Sequence, residues 1–450
     1  LSLGNWLGGV WADKGGSHRA VGISLFLAGI SALAILLLLP VLAGPLQEAN
    51  LSLASTSLIL ALCLFFAPAA LLGIITPLLT TLALQESDRP GHIVGLMHAL
   101  AALGSIFGTF ITGFYLVQWV GSRHLVLATG IILLLLSLPM FKRLWQVIAA
   151  TTIGVAASLA TDAMGYPDPC DHESNYFCIR VVDSSADVPF GEARSMVLDH
   201  LLHSTNHRQD PELLLAPYLQ LMDELARRQT QGKQAPGYFF AGGGAYTLPR
   251  LIKTKTPASR VVVAELDPLV TDVAREKLYL DTENMEVRHM DARAALKREA
   301  GHKFDVVIGD VFHDIAIPQH LLTQEFAQEI KASMGPDGIY IMNVVDAFPD
   351  ARLVKSVHKT LSQAFAQVDI WIDELPQDPT RLTFVISARD QGPKLRERIF
   401  SSRGLRRVWF NVTEPVLEVG TPMAETPVLS DDFAPVERLI ARLFLGDEGK

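Results

Sequence analysis

Long apolar runs separated by short polar gaps dominate the first third of the chain. Five such runs occupy residues 20–43, 58–84, 93–119, 124–140 and 144–160. A helix needs roughly 17 predominantly apolar residues to cross the hydrocarbon core of a bilayer. Every run reaches that length, and five repeats exclude both a signal peptide and the core of a soluble protein. The pattern therefore predicts a multi-pass, multi-helix transmembrane domain.

A glycine-rich apolar stretch precedes these runs and leads into Asp13-Lys14-Gly15. It resembles the loop between the second and third helices of major facilitator transporters, where Gly-x-x-x-x-Asp-(Arg/Lys)-x-Gly is typical. We interpret the stretch as the end of a further membrane helix whose beginning is truncated. The expectation is then six or more membrane helices.

From residue 161 onward, short apolar strands alternate with amphipathic helices. This alternation predicts an α/β doubly wound domain with strands at 238–241, 261–265, 285–289 and 304–309. A small N-terminal β-region is expected before it. The predicted organisation is a transmembrane domain (1–161), a juxtamembrane segment with the β-region and a helix (162–235), the α/β domain (236–390) and a C-terminal extension (391–450).

The average composition of 49% hydrophobic and 19% charged residues conceals this division. The formal net charge of −9 and the lack of basic clusters argue against nucleic acid as a partner. The partners expected are the lipid bilayer and a small molecule. Between residues 21 and 140 the charged side chains are Glu48, Glu86, Asp88, Arg89 and Arg123.

Three glycines, Gly242-Gly243-Gly244, follow the first strand of the α/β region, and the second strand ends at Glu265. Glycines at such a turn let the backbone approach a ligand closely. A carboxylate at the end of the second strand accepts hydrogen bonds from ribose hydroxyls. The pair favours a nucleoside site, and a tight turn between two buried strands is the alternative.

Two further carboxylates, Asp291 and Asp310, follow the third and fourth strands. Because the carboxyl ends of parallel strands meet at one edge of the sheet, all these groups are expected to converge on one crevice. An amine nucleophile is protonated near neutral pH, so a carboxylate must take its proton before the nitrogen attacks. Asp310 is the candidate base, and a helix cap or turn former is the alternative.

The order of these motifs resembles the class I S-adenosylmethionine-dependent transferases and, more narrowly, the spermidine synthase family of polyamine aminopropyltransferases. The resemblance covers roughly residues 175–388 and is closest to a membrane-fused transporter–spermidine synthase-like branch. It implies a Rossmann-like domain of the class I methyltransferase fold. Phrases shared with that branch lie at 95–113, 241–250, 309–312, 317–326, 343–346 and 429–436.

The resemblance also implies roles for individual residues, and S-adenosylmethionine or its decarboxylated form as cofactor. Asp310 and His313 are the implied catalytic residues. The implied substrate-binding residues are Tyr218, Tyr246 and Asp314. The implied cofactor-binding residues are Gly242, Gly243, Gly244, Glu265, Asp267, Asp291 and Ala292.

The chain departs from authentic spermidine synthases at three places. Ala245 stands where those enzymes carry an aspartate after the glycines. Val311-Phe312-His313-Asp314 replaces their Ser-Ser-Asp-Pro, and the helix with Tyr218 lacks their His-Glu pair. Putrescine as acceptor and decarboxylated S-adenosylmethionine as donor are therefore both in question.

Histidines supply two further hypotheses. His313 is either a general base that replaces a lost acid or a surface turn residue. His200 and His203 are candidate lid residues over the substrate pocket, and His320 is expected to position a loop. The spacing of His203 and His207 would suit zinc on a helix, but no third ligand is evident, so no metal is predicted.

Two kinds of evidence conflict about the side of the membrane on which the α/β domain lies. By the positive-inside rule the loops with Lys14, Arg19, Arg89, Lys142 and Arg143 are cytoplasmic, which puts the domain outside the cytoplasm. A Cys170–Cys178 disulfide would agree, whereas two reduced thiols are the alternative. A cofactor made in the cytosol favours the cytoplasmic side.

The sequence thus predicts an inner-membrane, membrane-anchored spermidine synthase-like transferase that moves an aminopropyl or related alkyl group from an S-adenosylmethionine-type donor to a small amine. Asp310 would be its base, and a homodimer is left open. The alternatives are a polyamine or nucleoside sensor or transport protein with a non-catalytic transferase-like domain, and a methyltransferase acting on a membrane-associated substrate.

Overall fold

The computed structural model describes residues 1–140 and 170–445, apart from 50, 52, 87–88, 313–315, 375, 377–379 and 393–394, and also describes residues 152 and 156. The chain forms two compact units, Leu1–Asn175 and Tyr176–Lys450. The predicted boundary at residue 161 lies outside the described residues.

The first unit is helical from residue 2 to residue 140, apart from short connections. A π-helical turn, Thr112–Leu116, joins its fourth and fifth helices, and a 3-10 turn, Leu138–Met140, follows its sixth. These helices are α1 (Ser2–Asp13), α2 (His18–Glu48), α3 (Leu53–Gln85), α4 (Pro90–Ile111), α5 (Val117–Val120) and α6 (Ser122–Ser137).

Four segments of this unit are long and apolar enough to cross a membrane: His18–Leu46, Ala54–Gln85, Pro90–Val120 and Ser122–Met140. They coincide with four of the five predicted apolar runs. The fifth run, 144–160, lies outside the described residues.

Small residues let these helices approach closely. A Cβ atom at Gly8 of α1 would lie 2.6 Å from the carbonyl oxygen of Ile74 in α3. A Cβ atom at Gly29 of α2 would lie 2.9 Å from the carbonyl oxygen of Gly130 in α6. Backbone contact of this kind is the usual way in which apolar helices pack in lipid, where burial of apolar surface gives no preference for helix over lipid.

The second unit opens with the small β-region that the sequence predicts. Antiparallel strands β2 (Cys178–Asp183), β3 (Ala193–Leu198) and β4 (Leu201–His207) form it. A two-residue strand, β1 (His172–Glu173), lies at the end of the first unit. Cys170 and Cys178 are disulfide-bonded.

A nine-stranded sheet forms the centre of the second unit. Its strands are β5 (Gly237–Ala241), β6 (Arg260–Glu265), β7 (Glu286–His289), β8 (Phe304–Gly309), β9 (Met334–Phe348), β10 (Gln367–Ile372), β11 (Thr380–Arg389), β12 (Arg398–Phe400) and β13 (Val408–Asn411). The helices of this unit are α7 (Pro217–Gln229), α8 (Thr247–Lys255), α9 (Pro268–Lys277), α10 (Ala292–Arg298), α11 (Gln324–Ser333), α12 (Arg352–Leu361), α13 (Thr413–Glu418), α14 (Val436–Leu439) and α15 (Arg442–Leu445).

The strand order is β12-β13-β10-β11-β9-β8-β5-β6-β7. Strands β9, β8, β5, β6 and β7 are mutually parallel, and β11 is antiparallel between β9 and β10. The seven strands β5–β11 have the arrangement of a class I methyltransferase sheet, which confirms the predicted fold. Strands β12 and β13 extend the sheet beyond residue 390, where the sequence predicts the end of the α/β domain.

Helices cover both faces of the parallel strands, so those strands are apolar on both sides. Val261, Val262 and Val263 of β6 are all nearly inaccessible to solvent, and so are Val306 and Val307 of β8. Unbroken apolar runs of this kind are why β6 and β8 lie within one residue of their predicted bounds.

Candidate active site

The first and fourth strands of the parallel sheet, β5 and β8, are neighbours, and the chain direction of the crossovers reverses between them. A crevice opens at the carboxyl ends of strands at such a point. The amide of Gly242 donates to the carbonyl of Ala264 at 2.9 Å, and the amide of Asp310 donates to the carbonyl of Ala241 at 2.9 Å. These bonds hold the glycine turn and Asp310 side by side at the crevice.

The glycine turn requires residues without side chains. Gly242 has a φ of +90°, and a Cβ atom there would lie 2.2 Å from the carbonyl oxygen of Asp310. A Cβ atom at Gly243 would lie 2.6 Å from the ring of Tyr246 and 3.0 Å from Oε2 of Glu265. The backbone of this turn therefore forms one wall of the crevice directly.

Glu265 holds the turn through both of its oxygens. Oε2 accepts the amide of Gly243 at 2.8 Å, and Oε1 accepts the amide of Asp267 at 2.9 Å. Burial raises the pKa of Glu265, while these backbone amides and that of Gly244 act in the opposite direction. A ribose would be bound by a carboxylate whose position is already fixed.

Asp310 lies half-buried at the floor of the crevice. Burial raises the pKa of its carboxyl to about 6, and a hydrogen bond from the side chain of Asn343 partly opposes that shift. Tyr218 is close enough for the negative charge of Asp310 to add to the effect of burial in raising the tyrosine pKa. The Tyr218 hydroxyl donates to the carbonyl of His203 at 3.0 Å.

The main cavity encloses about 720 Å³, part of it open to solvent. Apolar side chains form most of its surface, and a flat nucleobase suits such walls. Leu266 directly follows Glu265 at the end of β6, and it is 45% exposed. An apolar residue directly after the end of this strand is a signal in the sequence that indicates an apolar wall beside Glu265. The apolar lining includes Tyr176, Phe177, Leu266, Met290, Val311, Phe312 and Leu321.

A second, smaller cavity of about 340 Å³ shares Asp310, His203 and the glycine turn with the first. Ala245 lines it as well. Burial lowers the pKa of His203 to about 4, so its imidazole is neutral at physiological pH.

Asp291 lines the main cavity. Its Oδ1 caps α10 by accepting the amide of Ala294 at 2.9 Å, and its Oδ2 accepts Nε2 of His320 at 2.6 Å. Burial opposes ionisation of Asp291, but the bonds from His320 and the backbone amides dominate and lower its pKa. The carboxylate is therefore ionised and oriented towards the cavity rim.

Most of the predicted site residues come together in the crevice. Gly242, Gly243, Gly244, Glu265, Asp291, Ala292 and Asp310 line its two cavities, and Tyr218 adjoins Asp310. His313 and Asp314 lie outside the described residues, so the roles predicted for them stay predictions.

Two predicted ligand residues lie below the surface of the crevice. Tyr246 is fully buried, and its hydroxyl is 2.7 Å from that of Thr271. Asp267 is also buried and caps α9 by accepting the amide of Leu269 at 2.9 Å. Both positions support the loop, and their predicted contacts with ligands stay untested predictions.

The α/β domain is similar to several known proteins. Residues 240–397 match the family of the spermine/spermidine synthase domain. The polyamine aminopropyltransferase of Vibrio vulnificus is 30% identical over 129 residues, which are 28% of this chain and 42% of that protein. The probable polyamine aminopropyl transferase of Bifidobacterium longum is 26% identical over 216 residues, 44% of this chain and 47% of that protein.

The eEF1A lysine and N-terminal methyltransferase of Mus musculus is 27% identical over 205 residues, 41% of this chain and 26% of that protein. A crystal structure of a probable spermidine synthase from Corynebacterium glutamicum covers 59% of this chain and 97% of its own, at a TM-score of 0.49 and 20% identity. The chain spans less than half the length of the three curated relatives described.

Proposed function

We propose that the protein transfers an aminopropyl or related alkyl group from an S-adenosylmethionine-type donor to a small amine, because residues 240–397 match the family of the spermine/spermidine synthase domain. The observation that carries this proposal is the position and the raised pKa of Asp310. Its carboxyl has a pKa raised to about 6 by burial and lies next to the glycine turn on the crevice floor.

The donor fits the polar groups of the crevice. Ribose hydroxyls would donate to Glu265, whose carboxylate lines the main cavity, and an adenine amino group would donate to Asp291. The base would lie against Leu266 and Met290. The sulfonium and its alkyl arm would extend past Gly242 towards Asp310. The donor supplies an electrophilic carbon next to a positively charged sulfur.

The chain's own groups then handle the acceptor. Asp310, mostly ionised above its pKa of about 6, takes one proton from the acceptor ammonium. The freed nitrogen lone pair forms a bond to the carbon next to sulfur. The carbon–sulfur bond breaks, and its electron pair stays on sulfur as a neutral thioether. The neutral His203 lines the smaller cavity, and Tyr218 adjoins Asp310.

Methyl transfer is a second candidate function, and Ala245 is the observation that favours it. Ala245 is 3% exposed and lines the smaller cavity, and its carbonyl accepts the side-chain amide of Asn206 at 2.7 Å. No carboxylate at this position is available to pair with the amine of an aminopropyl arm. This position therefore favours S-adenosylmethionine, which retains its own carboxylate, over its decarboxylated form.

Calorimetry on the full chain in detergent tests the proposal with S-adenosylmethionine, its decarboxylated form and methylthioadenosine. We expect binding, with turnover on a panel of amines. Preference for the decarboxylated donor supports aminopropyl transfer, and preference for S-adenosylmethionine supports methyl transfer. Binding without turnover would point to a sensor. Absence of binding by all three would overturn both transferase proposals.

We also propose that the protein is anchored in the inner membrane by its apolar helices, with the α/β domain outside the cytoplasm. The charged loops and the disulfide-bonded state of Cys170 and Cys178 support this side. An extracytoplasmic domain would need an exported donor.

Thiol labelling of intact cells tests this placement in a Cys63→Ser variant, because Cys63 is a free, exposed thiol. We expect an impermeant maleimide to label Cys170 and Cys178 only after treatment with an impermeant reductant. Labelling that instead requires permeabilised cells and no reductant would place the domain in the cytoplasm.

A further inference from the structure

A short segment near the end of the chain binds the loop beside the nucleobase end of the crevice. We call residues 429–437 the C-terminal clasp. The carbonyl of Leu429 accepts the amide of Gln324 at 2.8 Å, and the Thr323 hydroxyl donates to Oδ1 of Asp431 at 2.7 Å. The amide of Asp431 donates to Glu325 at 3.0 Å. The clasp is thus joined to the start of α11 by three hydrogen bonds.

Arg293 connects the clasp to the crevice. Its Nη1 and Nη2 donate to the two oxygens of Asp431 at 2.7 and 2.9 Å, and its Nε and Nη2 donate to Glu329 at 2.8 to 3.1 Å. Hydrogen bonds from the guanidinium to the carboxylates of Asp431 and Glu329 raise the pKa of Arg293. The side chain is only 13% exposed, so this paired geometry is stronger than an ordinary surface ion pair.

The same guanidinium reaches the rim of the nucleobase cavity. Nη1 of Arg293 donates to the carbonyl of His320 at 3.3 Å, and the His320 imidazole bonds Oδ2 of Asp291 at 2.6 Å. Arg293 also follows Asp291 by two residues in the first turn of α10. The clasp residue Glu437 accepts the side-chain amide of Gln319, the neighbour of His320, at 2.9 and 3.0 Å.

We propose that Asp431 is a positioning residue for donor binding: through Arg293 it fixes His320, and through His320 it fixes Asp291, the proposed partner of the nucleobase. This inference rests on the proposed function, because it concerns the donor site of that transferase. The contacts form a closed chain from Asp431 to Arg293, His320 and Asp291, with Asp291 two residues before Arg293. Loss of Asp431 would release the rim while leaving Asp310 in place.

The test is the affinity of the full chain for methylthioadenosine in an Asp431→Asn variant, with Asp432→Asn as the matched control. Both carboxylates are exposed neighbours, and only Asp431 bonds Arg293 among the described contacts. We expect a Kd for the nucleoside about tenfold higher in Asp431→Asn and unchanged in the control. At saturating donor, kcat and the KM for the amine should match the wild-type values.

A second background separates positioning from general stability. In a His320→Ala chain, Asp431→Asn should change the nucleoside Kd much less, because its effect passes through the His320 loop. A Glu437→Ala variant, which removes one exposed clasp contact, keeps the test available should Asp431→Asn fold poorly, and a modestly raised Kd is expected. A wild-type chain that binds no nucleoside sinks the proposed function itself. Wild-type binding with equal Kd values for both aspartate variants, or an undiminished effect without His320, overturns the clasp alone.

Discussion

Replacement of Asp310 by asparagine is expected to lower kcat by about 10²- to 10⁴-fold while the affinity for the donor stays close to that of the wild type. The amide has nearly the same shape and keeps its contact with Asn343, but it cannot accept the proton of the acceptor ammonium. The proposed donor contacts lie on Glu265, Asp291 and the glycine turn, so we expect them to be retained. Steady-state kinetics and calorimetry on the same preparation measure the two quantities.

The pH dependence of the same carboxyl provides an independent check. Burial raises its pKa to about 6, so the fraction of enzyme with an ionised base falls as the pH drops below that value. For the wild type, log kcat should decline with a slope of one on the acid side of about pH 6, and this limb should be absent from the residual activity of the variant. A flat wild-type profile between pH 5 and pH 7, values chosen about one unit to either side of that pKa, would remove Asp310 from the role of base.

The Asp310→Asn substitution should increase the stability of the fold while it decreases kcat. A raised folded-state pKa means that the native protein binds a proton more readily than the unfolded chain between about pH 4 and pH 6, so Asp310 makes the fold less stable above that range. Asp310→Asn should therefore raise the melting temperature slightly at pH 7. Asp305→Asn is the matched control on the same strand: it removes one of the two carboxylate oxygens, which bond Lys233 and the Gly237 amide, together with the negative charge, so it should reduce stability and leave kcat unchanged.

The sequence predicted the parts of this site that depend on local pattern. The glycine turn, Glu265 and Asp310 each follow an apolar strand, and the parallel sheet then brings the strand ends together without further information. The contact between Asn343 and Asp310 could not be read in this way, because it pairs two strands whose adjacency is a property of the folded sheet. The bond from His320 to Asp291 likewise depends on how a 3-10 turn packs against the start of α10.

Local backbone conformation explains why Tyr246 and Asp267, which the sequence predicts to bind ligands, are buried beneath the crevice. Tyr246 has a left-handed φ of +56°, which turns its ring beneath Gly243 and into the core. Asp267 begins a helix that opens with Pro268, and a carboxylate at that position is drawn to the free amides of the first helical turn. In both cases a polar side chain next to a predicted ligand motif stabilises the loop through contacts within the protein. Sequence alone does not distinguish this structural role from contact with a ligand.

Replacement of Gly242 by alanine is expected to raise the Kd for S-adenosylmethionine-type ligands by about 100-fold or more. Its new Cβ atom would lie 2.2 Å from the carbonyl oxygen of Asp310, so the backbone of the turn and that of Asp310 must move apart. The φ of +90° adds strain of about 1 to 2 kcal/mol for a residue with a side chain. Turnover should fall together with affinity, because the movement displaces the base as well.

A matched control separates the close contact from the strain. Gly232 has a φ of +84° and no atom within 4 Å of a Cβ placed there, so Gly232→Ala carries the backbone strain without the clash. We expect that control to bind the donor as the wild type does, with only a lowered melting temperature. Because strain is common to both variants, equal donor affinities for Gly242→Ala and Gly232→Ala would mean that the turn is not a wall of the donor site. A large difference between them would measure how closely the backbone at Gly242 must approach both Asp310 and the ligand.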